Sequence, residues 1–550
     1  MFPFTRLVFL VASLHLVQVS AYNVPRAVLS SSAGETTSFA FLPNATVTVP
    51  DPNFPEASVV GFPGPTPTGD EAEAIATATA LSKVDSAFPL VRPDTEDHKG
   101  KTFNVEHYWG NLSPMFSLDA GTFGLNESSP LIPEGCSLTQ AHLLHRHGAR
   151  YPTTGAAPAQ LAAALHNANT TVNVTGPLEF LSTWTYKLGA EILTPFGREQ
   201  LYGLGVGFRV RYGELLKGFN DFPVWRTTSE GNLQFAAGFF GVQSYQTSYH
   251  QLIEIESSGF NSTLAPYDVC TNANNAVASL GSTQANAWAE IYTAPTIERL
   301  SKHITGLNLT ASTIIAMQET CAYETVALGF SSFCALFTEE EWKQFEYFLD
   351  VSFWYGNGPG NPAVAAQGIG WVQELVSRLT RTPISTFDTS VNETIVTSNV
   401  TFPLSQPIFV DATHDTIISA IVTAMNLSIF SAPGPLPTDH IPDDQTWIVP
   451  HISPFGSNMV GQVLSCPASD TPTHIRFVLN DAVLPLTGIQ GCTADKNGLC
   501  EIDKFISGLQ ARIEEVDYQF DCFANYTVPV PDDITDGRFP DALKNSTSAK

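Results

Sequence analysis

Residues 145–152 read HRHGARYP, with Arg146, His147 and Arg150 crowded into one short stretch that ends on a proline. Positive charge is scarce elsewhere: 26 Lys and Arg stand against 53 Asp and Glu, a formal net charge of −27. Arginines concentrated locally in such a chain point to an anion that they hold. The stretch follows LTQAHLL, an apolar run of strand character. Two other runs repeat that arrangement, FPVW before Arg226 and PIFVDA before His414 and Asp415. Two of the three polar clusters are followed by helical patterns, EGNLQFAAGFFGV and DTIISAIVTAMNL. Strand, polar loop and helix in that order predict an α/β fold whose ligand binds beyond the carboxyl ends of the strands, where all three clusters can meet.

The clustered residue types suit one chemistry. A phosphoryl group is a compact, multiply charged anion, and its transfer depends on positioning and on cations aimed at its oxygens. Guanidinium forks match those oxygens better than ammonium groups. Arg146, Arg150 and Arg226 at one sheet edge would form such a cradle. His147 among them is kept from protonating, which leaves a ring nitrogen free to attack phosphorus. A metal reading of His142, His145 and His147 fits less well. Strand alternation places His142 on the opposite face, and neighbouring guanidiniums repel a cation. No metal and no cofactor are expected.

HRHGARYPT resembles the RHGxRxP signature of the histidine acid phosphatases, and THDT at 413–416 resembles their downstream His-Asp pair. VEHYWGNLSPMFSL, LTPFGREQL at 193–201, FVLNDAVLPL and CTADKNGLCEIDKFISGL extend the likeness over roughly 103–525, nearest to secreted fungal acid phosphatases and phytases. The resemblance implies a phosphoglycerate mutase-like α/β sheet domain flanked by helices, with an inserted smaller helical lobe. It implies that His147 becomes phosphorylated, that Asp415 protonates the leaving alkoxide, and that Arg146, Arg150, Arg226 and His414 bind the phosphate. It also implies the disulfides Cys136 with Cys466, Cys270 with Cys522, Cys321 with Cys334, and Cys492 with Cys500. The chain departs from fungal phytases at Asn232, where they often carry a further Arg, and at Thr416, where they tend to have Asn.

The flanks suggest export. Residues 1–21 place Arg6 before an apolar run that closes on Val19-Ser20-Ala21, the pattern of a cleaved signal peptide. Residues 22–102 are rich in Pro, Ser, Thr, Ala and Gly and read as a flexible leader or propeptide. The catalytic domain is expected over 103–528, its α/β part at about 103–154, 220–245 and 378–528 and its helical lobe at about 155–219 and 246–377, followed by a polar tail at 529–550. Sequons at Asn44, Asn111, Asn126, Asn169, Asn173, Asn261, Asn308, Asn392, Asn399, Asn426, Asn525 and Asn545 predict N-linked glycans. An even set of 8 cysteines without a CxxC pair favours disulfides over zinc. The acidic balance argues against nucleic acid or an anionic membrane as partner. YGNGPGNP at 355–362 reads as a surface loop.

The expected function is therefore a secreted, extracellular acid phosphatase that hydrolyses phosphomonoesters with broad specificity, phytate included. A dedicated phytase is the alternative. Phytate would favour a pocket rich in Lys and Arg, yet the expected lobe offers few bases, among them Lys187, Arg198, Arg209, Arg211, Lys217, Arg299, Lys302 and Lys343. A phosphoglycerate mutase type of enzyme would lack the leader, sequons and cysteines. A non-catalytic phosphate-binding glycoprotein would lack the nucleophile or the acid. Read alone, Asp415 could serve only as support for the helix it opens.

Overall fold

The computed structural model describes residues 103–168, 171–228, 231–530 and 533–547. The expected signal peptide and leader lie outside the described residues, as do Asn44 and Asn169. Eight strands form the main sheet: β1 Ser137–Arg146, β2 Val224–Thr227, β3 His250–Ile253, β4 Ile408–Thr413, β5 Asn458–Ser465, β6 His474–Leu479, β7 Ala482–Leu484 and β8 Cys500–Glu501. Their order is β8-β6-β5-β1-β4-β2-β3, with β7 paired to β6. The half containing β1, β4, β2 and β3 is parallel, and β5 and β6 continue it antiparallel. The carboxyl ends of the parallel strands thus share one edge. Arg146 pairs in register with Thr413, and Thr227 lies against Ala412. The residues that follow those strands are delivered to one place.

Buried alternation explains why β1 sits centrally. Leu143 packs into an apolar cluster with Trp225, Phe235, Ile408 and Val410 on one face, and Leu144 packs into the larger cluster on the other. A strand apolar on both faces is stable only when both are covered. Helices α2 Pro195–Tyr212 and α3 Gly231–Phe240 close the first face through Phe208, Phe235 and Phe239. Helices α7 Val364–Thr380, α8 Asp415–Ala424 and α9 Ile502–Glu515 contribute to the second. Two helices drawn from the expected lobe segments, α2 and α7, therefore lie on the sheet. The cause for α7 is polar: its Arg378 and Trp371 both bind Asp411 of β4. Helices α1 Ala157–Asn167, α4 Leu280–Leu300, α5 Ala311–Leu328 and α6 Glu339–Asn357 pack on one another.

The structure joins Cys136 to Cys466, Cys270 to Cys522, Cys321 to Cys334 and Cys492 to Cys500. The first of these ties the start of β1 to the end of its antiparallel neighbour β5. YGNGPGNP is not a surface loop, because residues 358–362 are buried. A Cβ on Gly358 would lie 2.6 Å from Trp447, and one on Gly360 would lie 2.4 Å from Trp354. The glycines are there because the backbone passes between two indoles.

Helix α6 carries an acid pair one turn apart. Asp350 is fully buried, accepts the Val449 amide at 2.6 Å and is bonded to Gln445 and Glu346. Burial raises the pKa of both carboxyls; Asp350 raises that of Glu346 further, while the hydrogen bond from Glu346 partly offsets the rise at Asp350. A carboxyl raised on folding holds a proton that the unfolded chain releases, so its penalty grows as pH climbs from the ordinary carboxyl range toward the raised value. Glu346→Gln keeps a partner for Asp350 and removes one titration. Thermal melts should show the variant about 1 kcal/mol more stable than the parent at pH 7.5 and little changed at pH 4; an equal shift at both pH values would refute the account.

Candidate active site

The turn after β1 is built by close backbone contact. The Cβ absent from Gly148 would lie 2.1 Å from the Gly197 carbonyl, and that absent from Gly197 would lie 1.8 Å from the Ala149 carbonyl. Thr194 caps α2 by accepting from the Gly197 amide at 3.0 Å, and its hydroxyl donates to the Ala149 carbonyl at 3.1 Å. Gln200 of the same helix accepts from the Ala149 amide at 2.8 Å. LTPFGREQL thus exists to hold HGAR in place.

His147 is 6% exposed. Its Nδ1 lies 2.8 Å from the Gly148 carbonyl. A carbonyl oxygen can only accept, so Nδ1 carries the hydrogen and the neutral ring presents its lone pair at Nε2. Burial, then Arg146, His414 and Arg150, hold its pKa well below the ordinary histidine value. The ring is therefore uncharged in mildly acidic solution.

Arg146 is 2% exposed. Its Nη2 lies 2.8 Å from Asp415 Oδ2, its Nη1 donates to the carbonyls of Ser453 and Asn111, and its guanidinium lies over the Phe455 ring. Its Nε has no hydrogen-bond partner among the described residues. Burial pushes its pKa down to about 10, against the pull of Asp415, so it stays a cation wherever the site works. Asp415 opens α8, takes the Thr416 amide on Oδ1 at 2.8 Å and takes Asn111 Nδ2 on Oδ2 at 2.7 Å. It therefore supports its helix and also faces the cluster. Burial would raise its pKa, but Arg146, Asn111 and the Thr416 amide outweigh that and lower it.

Arg150 stands at the rim, 28% exposed, held at 2.8 Å by Glu191 and at 3.1 Å by Thr153. The His414 ring lies 5.4 Å from that of His147. Its Nε2 is 3.1 Å from Glu256 and 3.2 Å from the Thr228 hydroxyl. Tyr267 also donates to Glu256, at 2.9 Å. Burial alone would raise the Glu256 pKa, but His414, Thr228 and Tyr267 together draw it down to about 2. His147, Arg146, Arg150, His414 and Asp415 are thus gathered at one strand edge.

Arg226 is the exception. It is 2% exposed and every arm of its fork meets a carboxylate: Nε meets Asp411 at 2.8 Å, Nη1 meets Glu254 at 3.1 Å and Nη2 meets Glu374 at 2.7 Å. Arg378 binds Asp411 from the other side at 2.6 Å. The expectation of a phosphate ligand at Arg226 is replaced by a buried ionic cluster under the site. Asn111 and Glu256 are site neighbours that the sequence did not single out for this role. The Glu254-Ile255-Glu256 alternation was a signal for the second, since both carboxyls follow β3 and Ile255 is exposed. Among the described residues no group of three or more His, Cys, Asp or Glu could hold a metal ion.

Residues 137–480, from the start of β1 past the end of β6, match the model of the histidine phosphatase superfamily, branch 2. The chain belongs to this family. Its histidine phosphatase relatives include Phytase A of Aspergillus oryzae, 34% identical over a 430-residue alignment that covers 74% of this chain and 88% of that one. Phytase A of Arthroderma benhamiae is 33% identical, over 73% of this chain and 89% of that one. The crystal structure of the phytase from D. castellii matches with a TM-score of 0.62 and 25% identity, over 80% of this chain and 94% of that one. A Bifidobacterium longum multiple inositol polyphosphate phosphatase shares the fold, with a TM-score of 0.53 and 14% identity over 73% of this chain and 97% of that one. His147 and Arg146 lie within the matched histidine phosphatase region, as do His414 and Asp415.

Proposed function

We propose that this histidine phosphatase hydrolyses phosphomonoesters in two steps on His147, with Asp415 as the proton carrier. Nε2 attacks phosphorus, a P–N bond forms, the ester P–O bond breaks, and the Asp415 proton passes to the departing alkoxide. Water then attacks the phosphohistidine, its proton returns to Asp415, and inorganic phosphate leaves with the imidazole restored. The observation that carries this reading is the Nδ1 contact with Gly148, which leaves Nε2 as the free lone pair of a ring held neutral among cations.

Arg146, Arg150 and His414 supply the charge that meets the phosphate oxygens. Arg146 has a second role. An incoming phosphate shares the Arg146 guanidinium while Nη2 stays on Asp415 Oδ2, and it brings new negative charge beside the carboxyl, so the affinity of Asp415 for a proton rises. Acidic solution supports that protonated form while His147 remains neutral. Asp415→Asn should lower kcat/KM for an alkyl phosphate by roughly 10²–10⁴-fold. The loss should be much smaller for p-nitrophenyl phosphate, whose leaving group needs little protonation. Equal losses on both esters would remove Asp415 from the proton-transfer step.

Broad specificity is the preferred substrate reading. The bases of the expected lobe are largely spent on local ion pairs: Arg299 with Glu341, Lys302 with Glu298, Lys343 with Glu339, Lys217 with Glu214 and Arg211 with Asp481. Of the eight bases, that leaves Lys187, Arg198 and Arg209, a small set to draw a polyphosphate. A dedicated phytase is the second reading, favoured by relatives that are called Phytase A. Side-by-side kcat/KM values on p-nitrophenyl phosphate and phytate separate them, comparable values supporting breadth and a strong preference for phytate supporting the alternative. Among the described residues no helix is long and apolar enough to cross a membrane. Four disulfides fit an oxidising compartment, which supports secretion to the extracellular space.

A further inference from the structure

Asn111 belongs both to a glycosylation signal and to the surroundings of Asp415. In sequence it opens an Asn-Leu-Ser sequon. In the fold it lies in a short turn, Gly110–Leu112, pinned between buried Trp109 and buried Ser113. The Ser113 hydroxyl, the third member of the sequon, is sealed inside and accepts the Trp109 amide at 3.1 Å. The Asn111 carbonyl takes a hydrogen bond from Arg146, and its Nδ2 donates to Asp415 Oδ2 at 2.7 Å. That same oxygen takes Arg146 Nη2 at 2.8 Å.

We propose that Asn111 is a positioning residue for Asp415, choosing which carboxyl oxygen carries the catalytic proton, and that its sequon is unmodified in the active protein. Oδ2 receives two donors and has no room for a hydrogen of its own. Oδ1 receives one, the Thr416 amide, and keeps a lone pair for the proton. The proton therefore sits on Oδ1 whenever Asp415 is protonated. A glycan would be bonded to Nδ2, the atom that touches the carboxylate, so a chain modified there could not form this contact. Asn173 and Asn308, by contrast, are exposed.

The proposal rests on Asp415 acting as the general acid, and the test keeps the two ideas apart. Full-length parent, Asn111→Ala, Asn111→Gln and Asp415→Asn, produced by a eukaryotic host, would be assayed on p-nitrophenyl phosphate and glycerol 2-phosphate. The ratio of the two kcat/KM values on one preparation does not depend on how much of it is folded. Asn111→Ala should lose about tenfold or more on the alkyl ester and less than about threefold on the aryl ester, with partial recovery in Asn111→Gln. Peptide mapping of the active parent should find Asn111 bare. Equal losses on both esters in Asn111→Ala, while Asp415→Asn still separates them, overturn the positioning role and leave the acid in place. If Asp415→Asn does not separate them either, the acid assignment itself fails and takes the proposal with it. A glycan on Asn111 in active protein overturns the proposal outright.

Discussion

Replacing His147 with alanine is expected to reduce turnover by roughly 10⁴-fold or more while leaving the fold intact, because it removes the atom to which phosphorus is transferred. The ring meets only two others, those of Phe455 and His414, among the ring contacts of the described residues, so melting temperature should move by only a few degrees. Arg146, Arg150 and His414 are untouched, and inorganic phosphate should still compete for the site. The cavity left behind admits imidazole, and added imidazole should restore part of the activity by taking the phosphoryl group itself. Activity within tenfold of the parent would rule out His147 as the nucleophile.

The second large effect is on stability. Arg226→Ala strips the shared partner from Asp411, Glu254 and Glu374, which are buried under the site. Removing one side of a buried ionic cluster typically costs about 3–5 kcal/mol, because the remaining charges are left without compensation. Arg378 still faces Asp411, and Glu254, whose pKa burial already raises, can take up a proton. Both soften the loss without cancelling it. Denaturant melts should show a clear drop in midpoint, and the folded fraction should keep KM and the inhibition constant for phosphate within about threefold. A tenfold rise in that inhibition constant at unchanged stability would return Arg226 to the phosphate site.

These expectations separate what was legible in the sequence from what was not. HGAR and HD could be read because each is a contiguous run placed just after a strand, and strand ends in a parallel sheet converge. The role of Arg226 could not be read locally: its carboxylate partners come from positions 254, 374 and 411, on three distant stretches of the chain. Strand position alone cannot distinguish a guanidinium aimed outward from one aimed beneath the sheet edge. The same limit hid α7, whose apolar periodicity suits a lobe as well as a sheet face until Arg378 and Trp371 are seen on Asp411. Asn111 was visible only as a sequon, since its contact with Asp415 spans 304 residues. The glycines of 355–362 resembled a loop because glycine marks both turns and close packing against aromatic rings.

The central claim is a covalent one, and trapping the intermediate tests it most directly. Protein mixed with excess phosphomonoester and quenched within milliseconds in strong base, where phosphohistidine survives, would be digested and its phosphopeptide sequenced. The account predicts one phosphoryl group, on Nε2 of His147, formed at the rate of leaving-group release and absent from His147→Ala. Phosphate on another residue, on Nδ1, or on no residue at all during steady turnover would contradict it.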